Sequence, residues 1–176
     1  LAATLAGAQP ASAKTSVSQV GGVEVIVSTP DQPPRQAARR SAKARPKVPA
    51  PGALPGGRAG TLLRTAMSLV GTPYVWGGTS PAGFDCSGFV WYAYNRIGVA
   101  IPRTADVQFA AGQPVDGDPL PGDLVFFQTY DYGASHVGLY IGNGWFVNAI
   151  GADVHLANFD SDYFRGRYLG ARRFLI

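Results

Sequence analysis

Cysteine is almost absent from this sequence: 176 residues hold one thiol, Cys86, together with two histidines. A lone cysteine excludes an internal disulfide, and one cysteine with two distant histidines in no ligand-spaced motif makes a poor zinc set. Cys86 is then buried filler, a ligand needing other partners, or a reactive nucleophile. Long apolar runs are missing too. None approaches the roughly 20 residues that a membrane-spanning helix requires, so no transmembrane segment is expected. Aromatic residues are lacking from the first third of the chain: Leu1 to Gly60 has no Phe, Tyr, Trp or Cys, while Thr61 to Ile176 holds all nine Phe, eight Tyr and three Trp. A core needs such side chains, which puts the folded domain at 61–176. Acidic charge is scarce in the same first stretch, where eight Lys and Arg face only Glu24 and Asp31, a balance of +6, against −2 for the remainder. The basic character belongs to the tail, so no nucleic-acid partner is expected of the domain.

What the tail does contain is patterned. "LAATLAGAQPASAKT" joins a short apolar run to Ala11-Ser12-Ala13, a small-x-small cleavage pattern, so residues 1–13 read as the remnant of a secretory signal peptide. Export would carry the protein to an oxidising compartment, where an unpaired thiol calls for an explanation. Next, "GGVEVIVST" is expected to form one short strand. "PDQPPRQAARRSAKARPKVPAPGALPGGRAG" is rich in Pro, Ala, Gly and Arg, and residues 14–60 read as a largely disordered basic linker. It acts as a solvated spacer or is drawn electrostatically to anionic wall polymer or a membrane surface.

In the domain, "TLLRTAMSLVG" has apolar residues at helical spacing up to Gly71. The loop "GTPYVWGGTSPAGFD" leads to Cys86. Phe89, Val90, Ala93, Tyr94 and Ile97 then recur at helical spacing, which puts Cys86 in the first turn of a helix capped by Asp85. A shorter helix is expected around Thr104 to Ala111. Downstream the period changes to two, and "DLVFFQ", "SHVGLYIG", "WFVNAI" and "RYLGARRFLI" read as strands of an antiparallel sheet. Helices first and strands afterwards indicate an α+β domain.

A thiol at a helix N-terminus meets unpaired N–H groups and the positive end of the dipole, which favour the thiolate. Asp85 opposes that ionisation, so a cationic partner is expected. Of the two histidines, His136 starts the strand "HVGLYIG", with Gly138 leaving room for a neighbouring helix end, and is the candidate base; His155 reads as a surface strand residue. The turn Gly142-Asn143-Gly144 sets a test. A three-residue loop puts His136 and Asn148 on one face as diagonal neighbours, letting the amide orient the imidazole; a two-residue loop sends Asn148 to the other face.

The blocks "PYVWGG", "FDCSGFV", "IPRTADVQ", "PGDLVFF", "SHVGLYIGNG" and "YLGARRFL", in this order, closely resemble the NlpC-type papain-like cell-wall peptidases from about Thr61 to Ile176. The resemblance implies a papain-like α+β fold, helices packed on an antiparallel sheet with the nucleophile at a helix N-terminus. It implies a secreted or wall-associated bacterial cysteine endopeptidase that acts, without a cofactor, on peptidoglycan stem peptides, at the bond between the γ-carboxyl of D-glutamate and a diamino acid. A monomer is expected. Cys86 matches the nucleophile, His136 the base and Asn148 the third polar position, which varies in this family. Tyr74 matches a tyrosine near the oxyanion. Asp85 and Ser87 flank the nucleophile as substrate contacts, and Arg103 binds a stem-peptide carboxylate or forms a structural salt bridge. Trp76, with Gly77 and Gly78, shapes the groove wall. Two other readings stand beside this one: a catalytically weak wall-binding module, and an amidase or acyltransferase on the same fold.

Overall fold

The structure, a computed structural model, describes residues 55–175 and two short stretches of the tail, Gln19–Val20 and Val23–Glu24. Residues 1–13, expected to be a signal-peptide remnant, and nearly all of the expected linker lie outside the described residues. The chain divides into two compact units, Leu1–Arg45 and Pro46–Ile176. In the first, β1 (Gln19–Val20) and β2 (Val23–Glu24) pair antiparallel, so the expected strand begins as one arm of a hairpin; Val25 to Thr29 lie outside the described residues.

The second unit opens with α1 (Gly57–Ser68), which buries Leu62, Leu63 and Ala66 on one stripe. A tight hairpin, β3 (Thr79–Ser80) and β4 (Gly83–Phe84), leads into α2 (Cys86–Asn95), where Phe89, Val90, Ala93 and Tyr94 are buried at the spacing seen in the sequence. Then come α3 (Ala105–Ala111), β5 (Gln113–Pro114), β6 (Leu124–Phe127), β7 (His136–Gly142), β8 (Trp145–Ile150), β9 (Asp153–Asn158), α4 (Asp162–Arg165) and β10 (Tyr168–Arg173). The six-stranded sheet has the order β5-β10-β6-β7-β8-β9, every neighbour antiparallel. Among the described residues no helix is long and apolar enough to cross a membrane.

Both faces of the central strands are covered. Leu124, Phe126, Val137, Leu139, Val147 and Ala149 join α1 and α2 in one core, while Val125, Phe127, Phe146 and Ala171 gather with Phe164 of α4 in a second. Each Phe so buried contributes roughly 1.5–3 kcal/mol. The hydroxyl of Tyr94 donates to the Gly122 carbonyl at 2.6 Å and pins α2 to the approach of β6.

The β7–β8 turn combines the two geometries considered above. Gly142 pairs with Trp145, so the loop is the two residues Asn143 and Gly144, both at positive φ (53° and 74°), as a primed hairpin turn requires. A bulge at Ile141 then adds the residue the short loop lacks, and Tyr140 faces Phe146, the register of a three-residue loop. His136 and Asn148 therefore share a face. Gly138 on that face makes room for the ring of Phe146, whose Cδ2 would lie 2.4 Å from an added Cβ, and not for a helix end. Helices α1 and α2 pack against the opposite face, while Phe164 of α4 packs on this one.

Asp123, 3% exposed, accepts from Arg173 Nε at 2.8 Å and Nη2 at 2.7 Å, and from the Leu120 N–H at 2.8 Å. Arg173→Ala strands this carboxylate. The expected loss is about 3 kcal/mol, the low end for a buried pair because Arg173 is partly solvated, measured by urea unfolding.

Candidate active site

Asp85 organises the start of α2. Its Oδ1 accepts from the Gly88 N–H at 2.6 Å, the N-cap bond that residue type and position led one to expect. Oδ2 accepts from the Gly77 N–H at 3.0 Å, fixing the glycine loop. Arg103 grips both oxygens, Nη2 to Oδ2 at 2.6 Å and Nη1 to Oδ1 at 3.1 Å, and Nη1 also donates to Ser87 Oγ at 2.9 Å. Arg103 thus forms the salt bridge that was one of its two expected roles. It is also the cation paired with Asp85 beside the thiol.

Cys86 is 5% exposed. Burial pushes its thiol up and Asp85 adds to this, while the N–H groups of Val137, Ser87 and Cys86 itself pull it down. The sulfur lies 4.0 Å from the Ser135 carbonyl oxygen. It thus meets the backbone on both sides of His136, through Ser135 and Val137.

His136 is 2% exposed and Asn148 fully buried. His136 Nε2 is 2.9 Å from Asn148 Oδ1, and Asn148 Nδ2 donates to the His155 carbonyl at 3.2 Å. That second bond fixes the tautomer: a carbonyl only accepts, so the NH₂ of Asn148 faces His155 and its oxygen faces the imidazole. Nε2 therefore carries the hydrogen, and Nδ1 keeps a lone pair for accepting a proton. The ring stacks on Phe164 at 6.1 Å and 23° and lies near Phe127. Burial drives the imidazole down to about 4, against a raising contribution from Asn148 and a lowering one from His155. His155 itself stands half-exposed on β9, bonded to Asp153.

A cleft of about 530 Å³ opens over the sulfur. Tyr74, Trp76, Asp85, Ser87 and Arg103, five expected site residues, line it with Cys86; His136 and Asn148 stand in the sheet and do not. Tyr74 is pushed up to about 12, first by burial and then by the charges at positions 86 and 85, so its hydroxyl stays a donor at neutral pH. Among the lining residues that escaped the sequence reading are Tyr130, Asp131 and Tyr132 of "QTYDYGAS". The signal was an aromatic-rich polar loop immediately before His136.

A profile of the NlpC/P60 family matches residues 71–173. The chain belongs to the NlpC/P60 family. It is similar to the probable peptidoglycan endopeptidase LytE of Bacillus subtilis, 45% identical over 113 residues, which are 64% of this chain and 34% of LytE. A gamma-DL-glutamyl hydrolase of the same organism is 40% identical over 118 residues, 64% of this chain and 29% of that protein. Among solved structures, an NlpC/P60 family protein from Bacillus cereus superposes with a TM-score of 0.64 at 36% identity, covering 70% of this chain and 42% of that one. The chain thus spans less than half the length of these relatives, and its arrangement of helices and antiparallel sheet is the family's papain-like fold.

Proposed function

We propose that this chain is an exported peptidoglycan hydrolase, a cysteine endopeptidase that cuts stem peptides between the γ-carboxyl of D-glutamate and the diamino acid. The observation that carries this reading is the amide-oriented His136, its neighbouring backbone in contact with a thiol at the start of α2. The names of LytE, a probable peptidoglycan endopeptidase, and of the gamma-DL-glutamyl hydrolase support the substrate class and the γ-bond. The Ala11-Ser12-Ala13 pattern supports export.

In the free enzyme burial keeps the thiol protonated and the imidazole neutral. His136 Nδ1 takes the thiol proton as Cys86 attacks the scissile carbonyl, and the new imidazolium is steadied by Asn148 Oδ1 through Nε2–H. The Cys86 N–H and the Tyr74 hydroxyl receive the oxyanion. His136 then protonates the departing amine, and in the second half it activates the water that releases the acyl group from sulfur.

Asn148→Ala removes orientation but neither reacting group. Stem-peptide kcat is expected to fall about 10- to 100-fold, read by steady-state kinetics. The pH dependence follows from His136. As pH falls through about 4 the base is protonated and kcat/KM drops. Phe164→Ala admits water to the ring, relieves the penalty on the charged imidazole and moves the acid limb upward, toward 6.5. Stability carries the same sign. With the folded value below the unfolded one, the contribution is full above about 6.5 and is lost as pH falls toward 4, by roughly 3 kcal/mol.

The test is a mass-spectrometric digest of defined muropeptides by the wild type and Cys86→Ala. Fragments ending in γ-D-glutamate, formed by the wild type alone, are expected. If neither protein cuts and both bind purified wall, the binding-module reading replaces this one.

A further inference from the structure

The loop that closes one side of the cleft also walls a second groove. Tyr130, Asp131 and Tyr132 line both the cleft over Cys86 and a groove of about 780 Å³, whose other side is formed by Gly166 to Leu169. The groove is open to solvent and its lining is mainly polar. Aromatic and apolar exposure concentrates here: of the eight large apolar or aromatic side chains exposed among the described residues, Trp76, Tyr130, Tyr132 and Leu169 line the cleft, the groove or both. Tyr132 is 92% exposed, which leaves its ring face open to a ligand.

The loop backbone is tied down, and the Tyr130 ring meets Trp76 edge to face with centroids 5.6 Å apart. Within the loop the Tyr132 N–H donates to Asp131 Oδ1 at 2.7 Å, and the Thr129 N–H donates to Ser135 Oγ at 2.9 Å, next to His136. Leu169 is the extra residue of a bulge in β10, between Tyr168 opposite Phe127 and Gly170 opposite Phe126. The Arg167 guanidinium lies 4.2 Å over the Tyr163 ring and donates to the Tyr163 carbonyl at 2.8 Å.

Resting on the endopeptidase reading above, we infer that this groove is a saccharide subsite, taking an N-acetylated hexosamine of the glycan strand whose stem peptide reaches over the Tyr130–Tyr132 wall to Cys86. Flat phenol faces suit the C–H faces of a pyranose, and Gln128, Asp131 and Arg167 offer donors and acceptors for hydroxyl and acetamido groups. Asp131 and Arg167 carry opposite charges, so the lining does not select a polyanion. Continuity with the cleft is the argument for glycan, because peptidoglycan joins sugar and stem covalently.

The probe is a soluble tetramer of N-acetylglucosamine, titrated into the ¹⁵N-labelled full chain carrying Cys86→Ala and followed by amide shifts. Saturable shifts centred on Tyr130 to Tyr132 and Arg167 to Leu169 are expected. Arg167→Ala and Leu169→Ser should each weaken them several-fold and, in the active protein, lower kcat/KM for a glycan-linked stem relative to a glycan-free tripeptide by about tenfold. No saturable shifts, shifts on another face, or an unchanged ratio would overturn the subsite. The titration needs no cleavage, so it separates this failure from loss of the endopeptidase reading, which would show as no Cys86-dependent cutting of either substrate.

Discussion

Cys86→Ala is expected to lower kcat for stem-peptide cleavage by at least about four orders of magnitude, with the fold retained, and His136→Ala by a similar factor. Residues that act as one unit fail together, so the double variant should be no worse than either single one. The size of the effect follows from the chemistry: without sulfur there is no acyl intermediate, and without the imidazole a buried thiol whose ionisation is opposed by its surroundings has no acceptor for its proton. Stability should hardly change for Cys86→Ala, since one buried atom is lost and the Asp85 cap is untouched. Circular dichroism melts beside single-turnover kinetics separate the two quantities.

Asp85→Ala is the second large effect, and it acts by another route. The carboxylate caps α2, anchors the Gly77 N–H and pairs with Arg103. Its loss removes an N-cap worth about 1 kcal/mol and leaves the guanidinium without its partner, for a total near 3 kcal/mol once the partial solvation of Arg103 is allowed for. Two consequences, one electrostatic and one positional, oppose each other at the thiol. Removing the negative charge favours the thiolate, but freeing Arg103 and the Gly77 loop loosens the cleft around it. Position should win, because an error of about 1 Å in a reacting group can cost about 100-fold. A fall in kcat of that order is expected, while Asp85→Asn, which can keep the cap bond, should lose far less.

These two residues were also the most legible. The cap, the helix periodicity behind Cys86 and the strand starting at His136 are local patterns, and local patterns survive folding when tertiary packing agrees with them. The pairing of His136 with Asn148 was legible only as a conditional statement, because a turn motif fixes loop length but not a bulge. Ile141 takes up the mismatch in a way that depends on the whole β7–β8 ladder. Phe164 was not legible as the roof of the imidazole. It sits in a helix of four residues with no periodicity of its own, and only the return of the chain before β10 brings it to the ring. That Arg103 pairs with Asp85 was likewise closed to sequence, since it depends on the fold bringing the guanidinium to both oxygens of Asp85.

The single thiol permits one further measurement free of ambiguity. The chain is titrated with iodoacetamide, label per chain is counted by intact mass, and residual cleavage of a defined muropeptide is followed at each point. Activity is expected to fall in proportion to label and to vanish at one carbamidomethyl group per chain. Full labelling of Cys86 with stem-peptide cleavage intact would contradict its role as the nucleophile.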